Sequence, residues 1–339
     1  MSSSEFDIIR RHFTDQQSSR ADVSLGIGDD AALLQPPSGH LLATSVDTLI
    51  AGVHFPNNTK PDAIAHKALA VNLSDMAAMG AEPAWFTLAI TLPDADESWL
   101  TEFSKGLFKL ASEHNIQLVG GDTTRSPARG LLSITIQVTG LVPENLALTR
   151  SGAVSGDSIY VTGTLGDAGA GLQIKQNIIK PPASVAKLLS NKLDSPIPQV
   201  AAGMALRGLA SAAIDISDGL SADLGHVLAA SGVGADIHIA KLPLSAEFKS
   251  LKLKDAWQLA VSAGDDYELC FTVAEPFEKE MQYKLMSLGC AYTKIGMVSA
   301  QQGLRWLDDS GSASMLSVSS YDHFIEPGIK EQETINGET

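Results

Sequence analysis

Cysteine is scarce: Cys270 and Cys290 are the only two in 339 residues, both in apolar surroundings. Two such thiols exclude a disulfide framework. Basic residues are also in short supply. Lys and Arg total 24 against 39 Asp and Glu, a formal net charge of −15. That balance lacks the basic footprint that nucleic acid or an anionic membrane surface requires. No stretch approaches the roughly 20 apolar residues of a membrane span; the uncharged run 130–143 is short and carries Ser, Thr and Gln. The first ten residues hold no apolar segment or cleavage pattern of a signal peptide, which predicts a cytoplasmic protein. Also missing are a Walker A loop, any Gly-Lys dipeptide, the protein-kinase signatures, H-E-x-x-H, C-x-x-C and a G-x-S-x-G elbow.

What is present reads as a mixed α/β chain. Its length suggests two domains at roughly 100–200 residues each, and 44% hydrophobic with 19% charged residues is ordinary for a chain with a proper core. A short amphipathic helix is expected at 5–13. Strands are expected at 41–46, 85–92 and 131–141, where β-branched and aromatic residues run between Gly, Pro or Asp. Pro61 to Met79 predicts an Ala-rich helix with Pro in its first turn and Gly80 just past its end. A second helix is predicted over 97–115. The polar, Gly-rich segment 143–157 marks a boundary, dividing the chain into domains at 1–142 and 150–325 with a polar tail at 326–339. The second half opens on a strand at 158–161 and a loop with Gly163, Gly166, Gly169 and Gly171. A strand at 212–216, a helix at 219–230 and a strand at 267–273 follow.

The acids are placed unusually. Asp29, Asp30, Asp47, Asp75, Asp122, Asp215 and Asp218 all sit in segments of apolar and small residues that contain no Lys or Arg. A carboxylate next to a core needs a partner, and a bound cation is one of few on offer. Carboxylate, hydroxyl and carbonyl oxygens without His or Cys select Mg²⁺ or Ca²⁺. Asp75 lies about one turn before a predicted helix end, where the macrodipole disfavours negative charge. Plainer roles compete: Asp218 as an N-cap before Gly219, Asp29 and Asp30 as turn acids beside Gly28, Asp122 as a turn acid after Gly120-Gly121. Taken together the segments favour a shared metal site, its acids facing one another across a cleft. The glycines at 163–171 fit tight packing better than phosphate binding.

At these same places the chain resembles a known family. Gly26-Ile-Gly-Asp-Asp-Ala-Ala32, Val46-Asp-Thr-Leu49, His54-Phe55, the run from Lys67 to Gly80 and Gly120-Gly-Asp-Thr-Thr124 are similar to thiamine-monophosphate kinases. So are Thr149-Arg-Ser-Gly-Ala153, Ile214-Asp-Ile-Ser-Asp-Gly-Leu220, Gly264-Asp-Asp-Tyr-Glu-Leu269 and Tyr321-Asp-His-Phe324, all in the same order. The resemblance implies the two-domain fold of aminoimidazole ribonucleotide synthetase. Its N-terminal α/β domain binds ATP and Mg²⁺ and forms a β-barrel with its twin in a homodimer; an α/β C-terminal domain completes the site.

The implied reaction passes the γ-phosphate of ATP to thiamine monophosphate. By the same resemblance Asp30, Ser45, Val46 (through its carbonyl), Asp47, Asp75, Asp122, Asp215 and Asp218 are metal ligands for several Mg²⁺ ions. Asp47, Asp75 and Asp122 carry the catalysis, Asp75 touching more than one ion. Gly121, Asp122, Arg150 and Ser217 meet the nucleotide, and His54, Asp265 and Tyr321 meet thiamine monophosphate. The chain departs from the family in having Asp265 where Glu is usual and Ser320 where Gly precedes the tyrosine. Mg²⁺ between carboxylates and phosphates would reconcile an acidic site with two anionic substrates. Other ATP-consuming enzymes of the fold, or a non-catalytic nucleotide- or cation-binding protein, are the alternatives. The selenium and hydrogenase-maturation relatives are disfavoured, because their N-terminal or C-terminal Cys has no counterpart here.

Overall fold

The computed structural model describes residues 5–14, 19–127, 130–254 and 256–314. Two short helical turns open it, α1 at Glu5–Ile8 and a π-helical turn at Ile9–Thr14. A small ribbon of β1 (Val23–Leu25) and β2 (Leu33–Leu34) follows. The first half is then built from β3 (His40–Ile50), α2 (Pro61–Ala78), β4 (Glu82–Leu92), α3 (Glu97–Glu113), β5 (Gln117–Arg125) and β6 (Ser133–Pro143). Its sheet has the order β3-β6-β4-β5, with only β4 and β5 parallel. A parallel pair needs a long crossover, and α3 supplies it. Asp96 starts α3 by accepting the N–H groups of Ser98 and Trp99 at 2.8 and 3.2 Å.

The helix α2 begins with Pro61 in its first turn and stops before Gly80, which is left-handed at φ +61°. Thirteen of its residues, Lys67 and Asn72 among them, are buried. A helix buried on every side must lie between layers. One side of α2 packs on the four-stranded sheet, the other on α6 (Val200–Ala205) and β8 (Ala210–Asp215) of the second half. Small residues permit this: a Cβ on Gly203 would fall 2.0 Å from the Ala77 carbonyl oxygen.

The second half is a seven-stranded sheet in the order β13-β12-β9-β11-β7-β10-β8. Its other strands are β7 (Ser158–Thr162), β9 (Gly234–His238), β10 (Leu269–Val273), β11 (Tyr292–Ser299), β12 (Gly303–Leu307) and β13 (Ala313–Ser314). Beside it run α4 (Asp167–Lys175), α5 (Ala183–Asp194), α7 (Leu220–Ser231), α8 (Ala246–Ser250), α9 (Ala256–Ser262) and α10 (Glu278–Ser287). One core cluster joins the halves, with Leu206, Ala213, Leu269 and Phe271 packed among N-terminal residues. A second lies wholly in the C-terminal half.

The mixed α/β class and the two-part layout agree with expectation, as do most of the long elements. Two local readings change. Gly169 and Gly171 are not loop residues but lie inside α4, where a Cβ on Gly171 would meet the Leu189 carbonyl oxygen at 2.4 Å. Gly120 and Gly121 do not make a turn: they lie within β5, and a Cβ on Gly121 would meet the Leu88 oxygen at 1.9 Å. Among the described residues the N-terminal sheet is open, with β3 and β5 as its edges and no closed barrel.

Candidate active site

The helix α2 forms one wall of a cavity of about 440 Å³ between the two halves. Lys67, Val71 and Asp75 reach it because residues four apart share a helix face. Strand β3 adds Asp47, and Ser45, two residues earlier on the same strand face, donates its hydroxyl proton to the Asp75 carboxylate. Asp215 ends β8 and is buried, accepting a hydrogen bond from the Ser74 hydroxyl at 2.8 Å. Ser217 and Asp218 follow on the turn into α7. That turn is gripped by Asp223, which accepts the N–H groups of Ser217, Asp218 and Gly219 at 3.0, 3.1 and 3.1 Å. Capping therefore falls to Asp223, and Asp218 lines the cavity instead.

Burial dominates the electrostatics. It pushes Asp47 up to about 7, with the charge of Asp75 adding to the effect. It likewise raises Asp215 to about 7, again helped by Asp75 and opposed by Ser74. Asp75 itself is raised by burial despite the Ser45 hydrogen bond and the positive charge of Arg150. Among the described residues none of Asp47, Asp75, Asp215 or Asp218 forms an ion pair with Lys or Arg. Arg150 is exposed and lies outside the cavity lining.

At the other end stand His54 and Asp265. The Ile50 N–H donates to His54 Nδ1 at 3.0 Å, which in the neutral ring puts the proton on Nε2. Asp265 Oδ1 lies 2.9 Å from the Lys67 ammonium and accepts the Tyr267 hydroxyl at 3.0 Å. The turn that presents it is left-handed at Gly264, Asp265 and Tyr267, with φ of +68°, +61° and +51°. Burial, reinforced by Asp265, raises the Tyr267 hydroxyl well above its usual value, so it stays a donor.

Asp30, Gly121 and Asp122 are elsewhere, around a second cavity of about 500 Å³ between residues 27–32 and β5. Asp29 acts there as a turn acid, accepting the Asp30 N–H at 2.9 Å. Strand register explains the separation. Asp122 aligns with Ala89, Thr135 and Thr48, whereas Asp47 aligns with Ile136, Leu88 and Gly121. The two acids thus occupy opposite faces and opposite edges of the sheet, three strand spacings or about 14 Å apart. The expectation that all the acids face one another is not met within one chain. Val46 exposes its side chain on the face opposite Asp47, leaving only its carbonyl as a donor atom. Tyr321 lies outside the described residues.

Both halves match known families. Residues 28–142 match AIR synthase related protein, N-terminal domain, and residues 154–308 its C-terminal domain. The chain is 50% identical to the thiamine-monophosphate kinase of Escherichia coli strain K12 over 330 residues, covering 96% of this chain and all of that one. A crystal structure of thiamine-monophosphate kinase from Stenotrophomonas maltophilia superposes with TM-score 0.80 at 45% identity, covering 87% of this chain and 93% of that one. A structure of AaThiL complexed with AMPPCP and TMP gives TM-score 0.75 at 30% identity over 88% and 92% of the two chains.

The chain belongs to the thiamine-monophosphate kinase family.

Two groups lining the α2 cavity, Lys67 and Tyr267, had no role assigned from the sequence, nor had Asp223, which holds the turn that presents Ser217 and Asp218. Lys67 was visible in principle, since Lys67, Val71 and Asp75 are spaced for one helix face. Tyr267 lay within the motif Gly264-Asp-Asp-Tyr-Glu-Leu269, though only its bond to Asp265 shows its part; Asp223 had no comparable signal, because hydrogen bonds across the turn reveal it. The donor set also suits the implied Mg²⁺: carboxylates and hydroxyls with no competing cation in an ion pair. Among the described residues, no three His, Cys, Asp or Glu side chains stand close enough to hold an ion alone.

Proposed function

We propose that this chain transfers the γ-phosphoryl group of ATP to thiamine monophosphate, yielding ADP and thiamine diphosphate, in the cavity beside α2. The carrying observation is the meeting there of carboxylates without a Lys or Arg ion pair, Asp215 buried and Asp47 and Asp75 half-buried, with a separate polar end, in a chain half identical to a thiamine-monophosphate kinase. Asp47, Asp75, Asp215 and Asp218, with Ser45 and the Val46 carbonyl, would hold Mg²⁺. Bound there, Mg²⁺ would neutralise charge between carboxylates and phosphates, taking its remaining ligands from phosphate oxygens and water. His54 and Asp265, together with Tyr321, would hold the acceptor, and Ser217 and Arg150 the nucleotide.

No general base is required of the protein. The second pKa of a phosphate monoester is about 6, so the attacking oxygen is already ionised at neutral pH. Residues of this chain then act by orienting two phosphates in line and by excluding water. The reading extends to a homodimer whose N-terminal sheets join in a barrel. Among the described residues strand β3 leaves one edge unpaired, and Leu41, Leu42 and Val46 are exposed along it. Pairing with a second copy would cover that edge. It would also let the partner's Asp30 and the partner's Asp122, with Gly121 alongside, complete a site that one chain leaves divided.

ADP release measured with and without thiamine monophosphate tests the activity. Release that depends on thiamine monophosphate and on Mg²⁺, with thiamine diphosphate as product, is expected. Comparable turnover of free thiamine would overturn the acceptor assignment.

A further inference from the structure

Lys67 is the least expected group in the cavity. Its side chain is 3% exposed, yet it projects from α2 into a cavity that five aspartates line and no other Lys or Arg does. Two contacts account for it. The ammonium lies 2.9 Å from Asp265 Oδ1 and donates to the His54 carbonyl at 3.2 Å. These acceptors come from different halves of the chain. His54 follows β3 in the first half, while Asp265 precedes β10 in the second.

The Asp265 turn needs such an anchor. Its left-handed residues Asp265 and Tyr267 are not glycine, and that backbone region is unfavourable for L-residues unless contacts hold it. The Asp265 N–H donates to the Ser217 carbonyl and the Tyr267 N–H to the Ile216 carbonyl, both at 2.8 Å. Those bonds tie the turn to its own half. The Lys67 ammonium ties it to the other. It also supplies charge opposite a carboxylate that is one methylene shorter than glutamate, so Asp265 reaches its place with the ammonium and Tyr267 on either side.

We propose that Lys67 is a positioning residue for the acceptor: one buried ammonium holds the His54 and Asp265 segments, and thereby sets affinity for thiamine monophosphate and not for ATP. The inference rests on His54 and Asp265 being the acceptor contacts. Lys67 sits two helical turns from Asp75, roughly 12 Å along the axis, so it can act on the acceptor end without touching the phosphoryl-transfer end.

The test is steady-state kinetics of the full-length protein with Mg²⁺, alongside thermal melts. K67M should raise KM for thiamine monophosphate by about tenfold or more and leave KM for ATP within about twofold. K67R keeps the charge with a different reach and should recover part of the affinity. Adding D265N to K67M should cost less than D265N costs alone, since both changes remove one contact. Unchanged acceptor KM, an equal rise in both KM values, or full additivity would overturn the proposal. Should K67M not fold, the same split between the two KM values is read in K67R, where equal changes overturn it. Wild-type protein without acceptor-dependent ADP release would instead refute the activity itself.

Discussion

The two acidic cavities were indistinguishable in the sequence and differ sharply in space. Both are written as Asp among small and apolar residues. Beside α2, burial and the charge of Asp75 press Asp47 and Asp215 up to about 7. Beside β5, Asp29, Asp30 and Asp122 are exposed. The difference comes from which face the backbone turns each acid to: Asp47 and Asp215 meet α2, which is packed between the two halves, while Asp122 lies on the opposite face of its sheet, where it is exposed. A carboxylate motif therefore says little about charge state until its layer is known. On the dimer proposed above the two would take unequal roles, a strained half-site in one place and an open complement in the other.

Asp75→Asn should break the comparison most severely. It removes the acid that couples Asp47 and Asp215, and kcat/KM should fall by about a thousandfold or more. In chelator the same variant should be more stable than wild type by about 1 kcal/mol, or about 2 °C in Tm, because repulsion and an unfavourable helix-end charge disappear. Mg²⁺ with ATP should then raise Tm less in the variant. A variant that melts clearly lower in chelator would make Asp75 a structural residue.

Mixing subunits sharpens the comparison further. If the partner's Asp122 completes the cavity beside Asp75, Asp75→Asn and Asp122→Asn proteins should each be inactive. Unfolded and refolded together, they should regain about a quarter of wild-type activity, since half the dimers carry one intact site. No recovery, or a monomer by sedimentation at micromolar concentration, would confine each site to one chain.

A smaller effect is expected at the acceptor end. Asp265→Ala should raise KM for thiamine monophosphate about tenfold while KM for ATP changes little; equal effects would place Asp265 outside the acceptor wall.

The smallest effect falls on stability alone and asks whether burial by itself raises acids in the second half. Glu268 is buried behind β10, away from the α2 cavity, and burial lifts it from 4.5 to about 7. A folded pKa above the unfolded one means the ionised form is penalised. Stability should therefore fall as pH rises from about 4.5 to about 7, by on the order of 1–3 kcal/mol, and Glu268→Gln should flatten that slope. Urea melts across this range read it directly.

The sequence alone determined the elements whose signals are local. Pro61, the alanines and Gly80 specify α2, and the Asp96 cap starts α3, because capping and propensity act within a few residues. The sequence also singled out Asp47, Asp75, Asp215 and Asp218, which line one cavity. Tertiary structure decided the rest. Gly120-Gly121 carried a turn signal that packing against Leu88 turned into a strand. Asp218 looked like an N-cap until Asp223 took the turn's N–H groups. Asp122 and Asp47 were separated because strand register, a property of pairing partners and not of either strand, sends alternate residues to opposite faces. Lys67 met Asp265 across almost two hundred residues of chain, a contact that exists only once two layers close on α2.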